Sequence, residues 1–210
     1  MNDPNSQKIQ LDGIAYSLED LEQDLWLRLQ RATHQPKEAF YTGVVANRAG
    51  YGISLRTVVL RKVIIPERKL LFHSDRRSAK IQEIEADPQL SWLFYDNRRK
   101  IQLRLAGRAQ IHRDDALADQ IWQESGLGSR KLYLATQAPA TVLPEPGDAM
   151  PKELTEERLN EADVAPGWVH FSVVVTKIHF ADWLYLGANG HRRARFVWQA
   201  GHIERDWISP

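Results

Sequence analysis

At 210 residues, 43% of them hydrophobic, the chain is long enough for one well-packed domain and too apolar for the disordered regime. Its 28 Lys and Arg against 27 Asp and Glu leave a formal charge of +1, which argues against a protein-wide field for nucleic acid or anionic membrane but allows a local basic cluster. The absence of cysteine excludes disulfides, thiolate metal sites, cysteine nucleophiles and iron–sulfur clusters, so any redox work needs an outside cofactor.

The opening MNDPNSQKIQLDG has neither the basic start nor the apolar core of a signal peptide, and no later run approaches membrane-spanning length, so a cytoplasmic location is expected. Ser17 to Gln35 reads as an amphipathic helix, with Ser17 as N-cap, Asp20 three residues on, and Leu18, Leu21, Leu25 and Leu29 at helical spacing. From Phe40 the pattern turns to β-branched and aromatic runs cut by Gly and polar turns. Strands are expected over Phe40–Val45, Gly52–Ile65, Lys69–Ser74, Leu90–Tyr95 and Lys100–His112. Short turns at Asn47–Gly50 and Pro66–Lys69 make consecutive strands antiparallel, which points to a barrel or sandwich. Helices over Ser78–Ala86, ended by Asp87-Pro88, and over Asp114–Glu124 interrupt the strands.

Residues 137–163 read as a proline-bearing loop followed by an acidic segment, with a short helix expected over Pro151–Ala162. Strand character returns over Trp168–Phe180, Trp183–Leu186, Arg193–Trp198 and His202–Ile208. There is no internal repeat and no glycine fingerprint of a dinucleotide-binding turn, so residues 1–210 are expected to form a single mainly β domain with flanking helices.

In Arg56-Thr-Val-Val-Leu-Arg61 the strand period places Arg56 on one face with Val58 and Leu60, and Arg61 on the other with Thr57 and Val59. An arginine inside such an apolar strand needs a partner: a core carboxylate, water at a sheet edge, or a bound anion. The run Arg76-Arg-Ser-Ala-Lys80 opens a helix, where free N–H groups and the dipole favour negative charge, so cations gathered there are electrostatically odd unless an anion joins them. A phosphate would take bonds from Ser74 or Ser78 and charge-assisted contacts from Lys80 and Arg56; the plain alternative is a solvated basic turn. Gln102 sits on a half-exposed strand face, where its amide is either solvated or turned toward a heteroaromatic edge. The seven histidines fall into no metal-ligand spacing, and no nucleophile elbow is present.

In order along the chain, RTVVLR (Arg56–Arg61), LFHSD (Leu71–Asp75), RRSAK (Arg76–Lys80), ADPQLSWLFYD (Ala86–Asp96) and IQLRLAG (Ile101–Gly107) resemble the FMN-binding split-barrel family whose best-known member is pyridoxamine 5′-phosphate oxidase. The resemblance implies an antiparallel, Greek-key-like six-stranded split β-barrel. It implies FMN as cofactor, with Arg56 and Lys80 on the flavin phosphate, Thr57, Val58, Val59, Arg61, His73, Ser74 and Ser78 along the cofactor, and Gln102 at the ring system. It also implies a homodimer sharing each flavin between subunits, Gln137 lent by the partner, and Trp183 with Arg193 or Arg195 near the flavin.

Three departures bear on substrate: Arg61 stands where the vitamin oxidase has a lysine, Ala79 stands in place of a second basic residue in the serine turn, and HRRAR (His191–Arg195) replaces its C-terminal arginine–leucine–histidine–aspartate–arginine signature. The activity implied is flavin-mediated hydride abstraction from a small substrate, pyridoxamine or pyridoxine 5′-phosphate being the nearest, with oxygen as acceptor. Flavin reduction on another small molecule, a flavin- or haem-binding protein without turnover, and a cofactor-free structural dimer are the alternatives.

Overall fold

The computed structural model describes residues 8–11, 13–151 and 159–210. A two-stranded hairpin, β1 (Ile9–Leu11) and β2 (Ile14–Tyr16), precedes α1 (Leu18–Ala32). The cap of α1 is the one the sequence indicates: Asp20 N–H donates to Ser17 Oγ at 3.1 Å while Ser17 N–H donates to the Asp20 carboxylate at 2.9 Å. Leu18, Leu21, Leu25 and Leu29 turn inward, with Trp26 added to their stripe.

The strands β3 (Thr42–Ala49), β4 (Gly52–Val59), β5 (Lys62–Ile64) and β6 (Lys69–Asp75) follow, then α2 (Ala79–Ala86), β7 (Gln89–Asp96) and β8 (Ile101–His112). After these come α3 (Ala116–Glu124), α4 (Leu127–Lys131) and α5 (Glu161–Val164), and the chain closes with β9 (Phe171–Tyr185), β10 (Arg192–Gln199) and β11 (His202–Ile208). Among the described residues nine strands form one antiparallel sheet in the order β11-β10-β9-β8-β7-β3-β4, with β6 also paired to β9 and β5 to β6. The split-barrel reading holds, but the sheet has more than the six strands expected and its ladder does not close.

The run expected as one strand over Gly52–Ile65 is broken at Leu60 and Arg61. Leu60 N–H donates to Tyr41 O, whereas Arg61 N–H donates to Leu71 O, so the backbone leaves β3 and joins β6 between two neighbouring residues. Conversely, Trp168–Phe180 and Trp183–Leu186 become the single strand β9, preceded by a 3-10 turn over Ala165–His170. β9 bends at a register shift against Ala106/Gly107, where a Cβ on Gly107 would meet Lys177 O at 2.4 Å. Of the helix expected over 151–162, residues 152–158 lie outside the described residues; α5, capped by Asn160, begins just before that span ends.

Apolar packing runs on both sides of β6 and β9. Leu70, Phe72 and Val174 join the larger core with α1, Trp92 and Phe94, while Leu71, Val173 and Val175 pack with Trp122, Tyr133 and Phe171. Burial on both faces explains why these two strands read as continuous apolar runs rather than alternating ones. No helix among the described residues is long and apolar enough to cross a membrane.

Candidate functional site

The cations of β4 and α2 meet at a cavity of about 500 Å³ beside the free edge of β4. Its walls come from Arg56–Val59, Arg61, His73, Ser78 and Lys80, with Leu132 and Tyr133 of a 3-10 turn (Leu132–Leu134) and Pro139 and Ala140 of the loop that follows. Arg61 and His73 also line a second cavity of about 840 Å³, bounded by the end of α1 and the α3–α4 turn. Both volumes fall in the range of small-molecule sites.

Lys80 Nζ donates to Ser74 Oγ at 3.3 Å and Ser78 Oγ at 3.2 Å, and the two hydroxyls lie 3.1 Å apart. Burial depresses the Lys80 pKa, and the nearby Arg56 adds to the effect. Ser78 is the N-cap of α2, but its hydroxyl turns back to the carbonyl of Asp75 at 2.7 Å and leaves the helix N-terminus without a side-chain cap. A desolvated ammonium held by neutral hydroxyls beside uncapped helix N–H groups is a donor set suited to a phosphate.

Arg56 is different: its Nη2 donates to Glu83 Oε2 at 2.9 Å and to Ser54 Oγ at 2.6 Å, and its Nη1 to Asn47 Oδ1. Asn47 closes the network by donating to the same Glu83 oxygen at 2.9 Å. Both the carboxylate partner and the place beside an anion site, weighed as alternatives from the sequence, thus coexist at Arg56. Burial and the Arg61 charge push His73 down to about 3, so its ring is neutral in the fold; it meets Phe171 edge-on at 5.0 Å. Burial also raises the Tyr133 phenol above its ordinary range.

Loop 135–149 is fixed to this site. Arg77 forms a two-pronged pair with Asp75, the shorter contact being 2.7 Å, and its Nη2 donates to Ala135 O at 2.9 Å. Thr136 N–H donates to Ala149 O at 2.9 Å and closes the loop at its base. Gln137 is exposed on this loop and does not line the cavity, whereas Pro139 and Ala140 do.

The structure therefore brings together Arg56, Thr57, Val58, Val59, Arg61, His73, Ser74, Ser78 and Lys80, and it does not bring Gln102, Trp183, Arg193 or Arg195 to them. Trp183 is 2% exposed, pairs with Leu103 and Ala194 and packs in the core. By register, Arg56 shares a face with Val45 and Trp92, whereas Gln102 shares the opposite face with Tyr95, Leu184 and Arg193. On that outer face Arg193 and Arg104 both bond the buried Asp182, whose pKa stays low because these bonds outweigh the effect of burial, and Arg195 pairs with Asp206 at 2.6 Å.

Glu83, Asn47, Ser54, Tyr133, Pro139 and Ala140 were not anticipated at the site. Only Glu83 left a trace in the sequence, its i,i+3 spacing from Lys80 placing both on one face of α2.

Residues 23–113 match the family profile described as pyridoxamine 5′-phosphate oxidase, FMN-binding domain. The fold superposes on a pyridoxamine 5′-phosphate oxidase-related, FMN-binding protein from Nostoc punctiforme PCC 73102 with a TM-score of 0.68 and 19% identity, covering 90% of this chain and 96% of that one. It superposes equally on PhzG from Burkholderia lata 383, solved in complex with tetrahydrophenazine-1-carboxylic acid, with a TM-score of 0.69 and 14% identity over 95% and 99% of the two chains. At such identities the likeness is one of fold. No curated protein matches the chain in sequence.

Proposed function

We propose that the chain, whose residues 23–113 match the pyridoxamine 5′-phosphate oxidase FMN-binding profile, binds FMN at the cavity beside β4 and works as an FMN-dependent oxidoreductase on a small substrate. The observation that carries this reading is Lys80, a desolvated ammonium held by Ser74 and Ser78 at an uncapped helix N-terminus. These groups would hold the flavin phosphate, and the β4 backbone from Arg56 to Val59 would run beside the rest of the cofactor. Bound FMN supplies two-electron transfer chemistry, which the cysteine-free chain cannot supply itself.

The protein's own part is to bind, orient and exclude water. The larger cavity would take the substrate, with Arg61 at its junction with the cofactor cavity as anchor for an anionic group, such as a phosphate or carboxylate. His73, neutral at that junction, offers hydrogen bonding without adding positive charge.

A homodimer belongs to the same reading. Ile53, Leu55, Leu93 and Tyr95 leave the outer sheet face exposed and apolar, 62% and 63% for the first two. Gln102 and Arg193 point from this face, away from their own chain's cavity, so a flavin could meet them only in a second copy docked there.

The test is the visible spectrum of the purified protein with mass identification of any released chromophore, followed by FMN titration of the stripped protein. Flavin bands, released FMN and a loss of affinity of about tenfold or more in Lys80→Ala are expected. Failure of the stripped protein to bind FMN overturns the proposal, and unchanged affinity in Lys80→Ala overturns the phosphate assignment.

A further inference from the structure

The cradle proposed for a phosphate contains a carboxylate that is electrostatically unfavourable there. Glu83 follows Lys80 by one turn of α2, and its Oε2 accepts bonds from both Arg56 and Asn47 at 2.9 Å. With its bonds to Ser54 and Asn47, Arg56 has three N–H groups committed and its charge answered within the protein. Asp75 also acts on Lys80, but its own charge is paired with Arg77, whereas Glu83 bonds Arg56 itself. At the phosphate cradle Arg56 and Lys80 contribute two positive charges and Glu83 removes one, leaving a formal +1 there to meet a phosphomonoester of about −1.5 to −2 at neutral pH, while Arg61 stands apart from the cradle at the junction with the larger cavity. The Arg56 and Glu83 side chains are 18% and 15% exposed, so solvent does little to screen the carboxylate from a neighbouring anion.

Building on the FMN reading, we propose that Glu83 is the residue that sets the strength and selectivity of phosphate recognition. Without ligand it holds Arg56 in place; with ligand it opposes the phosphate, so the site holds a phosphorylated flavin less tightly than its two cations would allow and discriminates less against an unphosphorylated one.

Glu83→Gln tests this directly, since it keeps size and an acceptor oxygen for Arg56 while removing the charge. FMN and riboflavin are titrated by fluorescence quenching into stripped wild type, E83Q and E83D, with thermal unfolding as a check on folding. E83Q is expected to bind FMN about tenfold more tightly than wild type, with riboflavin changed less than about twofold. E83D, which keeps the charge, is expected to stay within about threefold of wild type for FMN and provides the test should E83Q fail to fold.

FMN bound no more tightly by E83Q, an equal gain for both flavins, or a tenfold loss in E83D would each overturn the role of Glu83. If neither wild type nor E83Q binds FMN, the cofactor reading itself falls. If wild type binds FMN and E83Q binds it equally, only the inference about Glu83 falls.

Discussion

Lys80 and Arg56 carry the same charge into the same cradle but bear on stability in opposite senses. Lys80 is desolvated with only hydroxyls to receive its bonds, so its ionised form is a cost to the ligand-free fold. Lys80→Met is expected to leave thermal stability equal or higher while FMN affinity falls; a lowered melting temperature would mean that the ammonium has a structural task. Arg56→Ala strips Glu83 and Asn47 of their partner and is expected to cost about 2 kcal/mol in denaturant unfolding as well as FMN affinity.

His73 adds a pH dependence. Its pKa is about 3 in the fold against 6.5 when free, so between these values the unfolded chain holds a proton that the native protein lacks. Stability contributed by this residue is complete above about pH 6.5 and falls as the pH drops toward 3, by at most about 1.4 kcal/mol per pH unit, less because the ring borders the cavities. Unfolding free energies at pH 6.5 and 5 should converge less steeply toward zero in His73→Gln than in wild type; identical slopes would show that the imidazole is free to ionise.

Arg56 and Lys80 could be singled out in the sequence because a charge in an apolar strand or at a helix start breaks a local pattern. Glu83 breaks none: on an exposed amphipathic helix a glutamate is ordinary, and only the packing of α2 beside β3 and β4 gives it Arg56 and Asn47 as partners.

At the level of elements, α1, α2, α3 and the strand series were legible because each carries its own period and its own stop signals. The break between β4 and β5 was not, since Leu60 and Arg61 continue the alternation and only their hydrogen bonds, one to Tyr41 just before β3 and one to Leu71 of β6, separate the two elements. The fusion of two expected strands into β9 has the same origin, for Ala181 and Asp182 look like a pause in sequence but stay in register with both β8 and β10. Loop 135–149 reaches the cavity through Pro139 and Ala140, and Arg77 ties its start to the site. Arg77→Ala frees Ala135 O and unpairs Asp75, so thermolysin should cut near Val142 and Leu143 faster than in wild type, while far-ultraviolet circular dichroism stays the same. Equal cleavage rates would show that the Thr136–Ala149 closure suffices by itself.

For the whole molecule, the outer sheet face decides whether the site is finished within one chain. Leu55→Arg places a charge amid Ala46, Leu93 and Ala106 without touching the core, because Leu55 is 63% exposed. Light scattering should then report a monomer that is folded but binds FMN weakly; a variant that remains dimeric would move the interface elsewhere.

The position of β4 at the end of the strand order has a further consequence. Amide protons in β9 sit between three partner strands, β6, β8 and β10, and can exchange with solvent only when the sheet comes apart. Those of Arg56 to Val59 have β3 as their one partner strand, with alternate amides turned to the open edge, and can exchange through fraying that leaves the centre intact. The strand proposed to run beside the flavin is therefore the one that opens at least cost, so a tightly folded protein can load and release its cofactor on the timescale of an edge strand rather than that of unfolding.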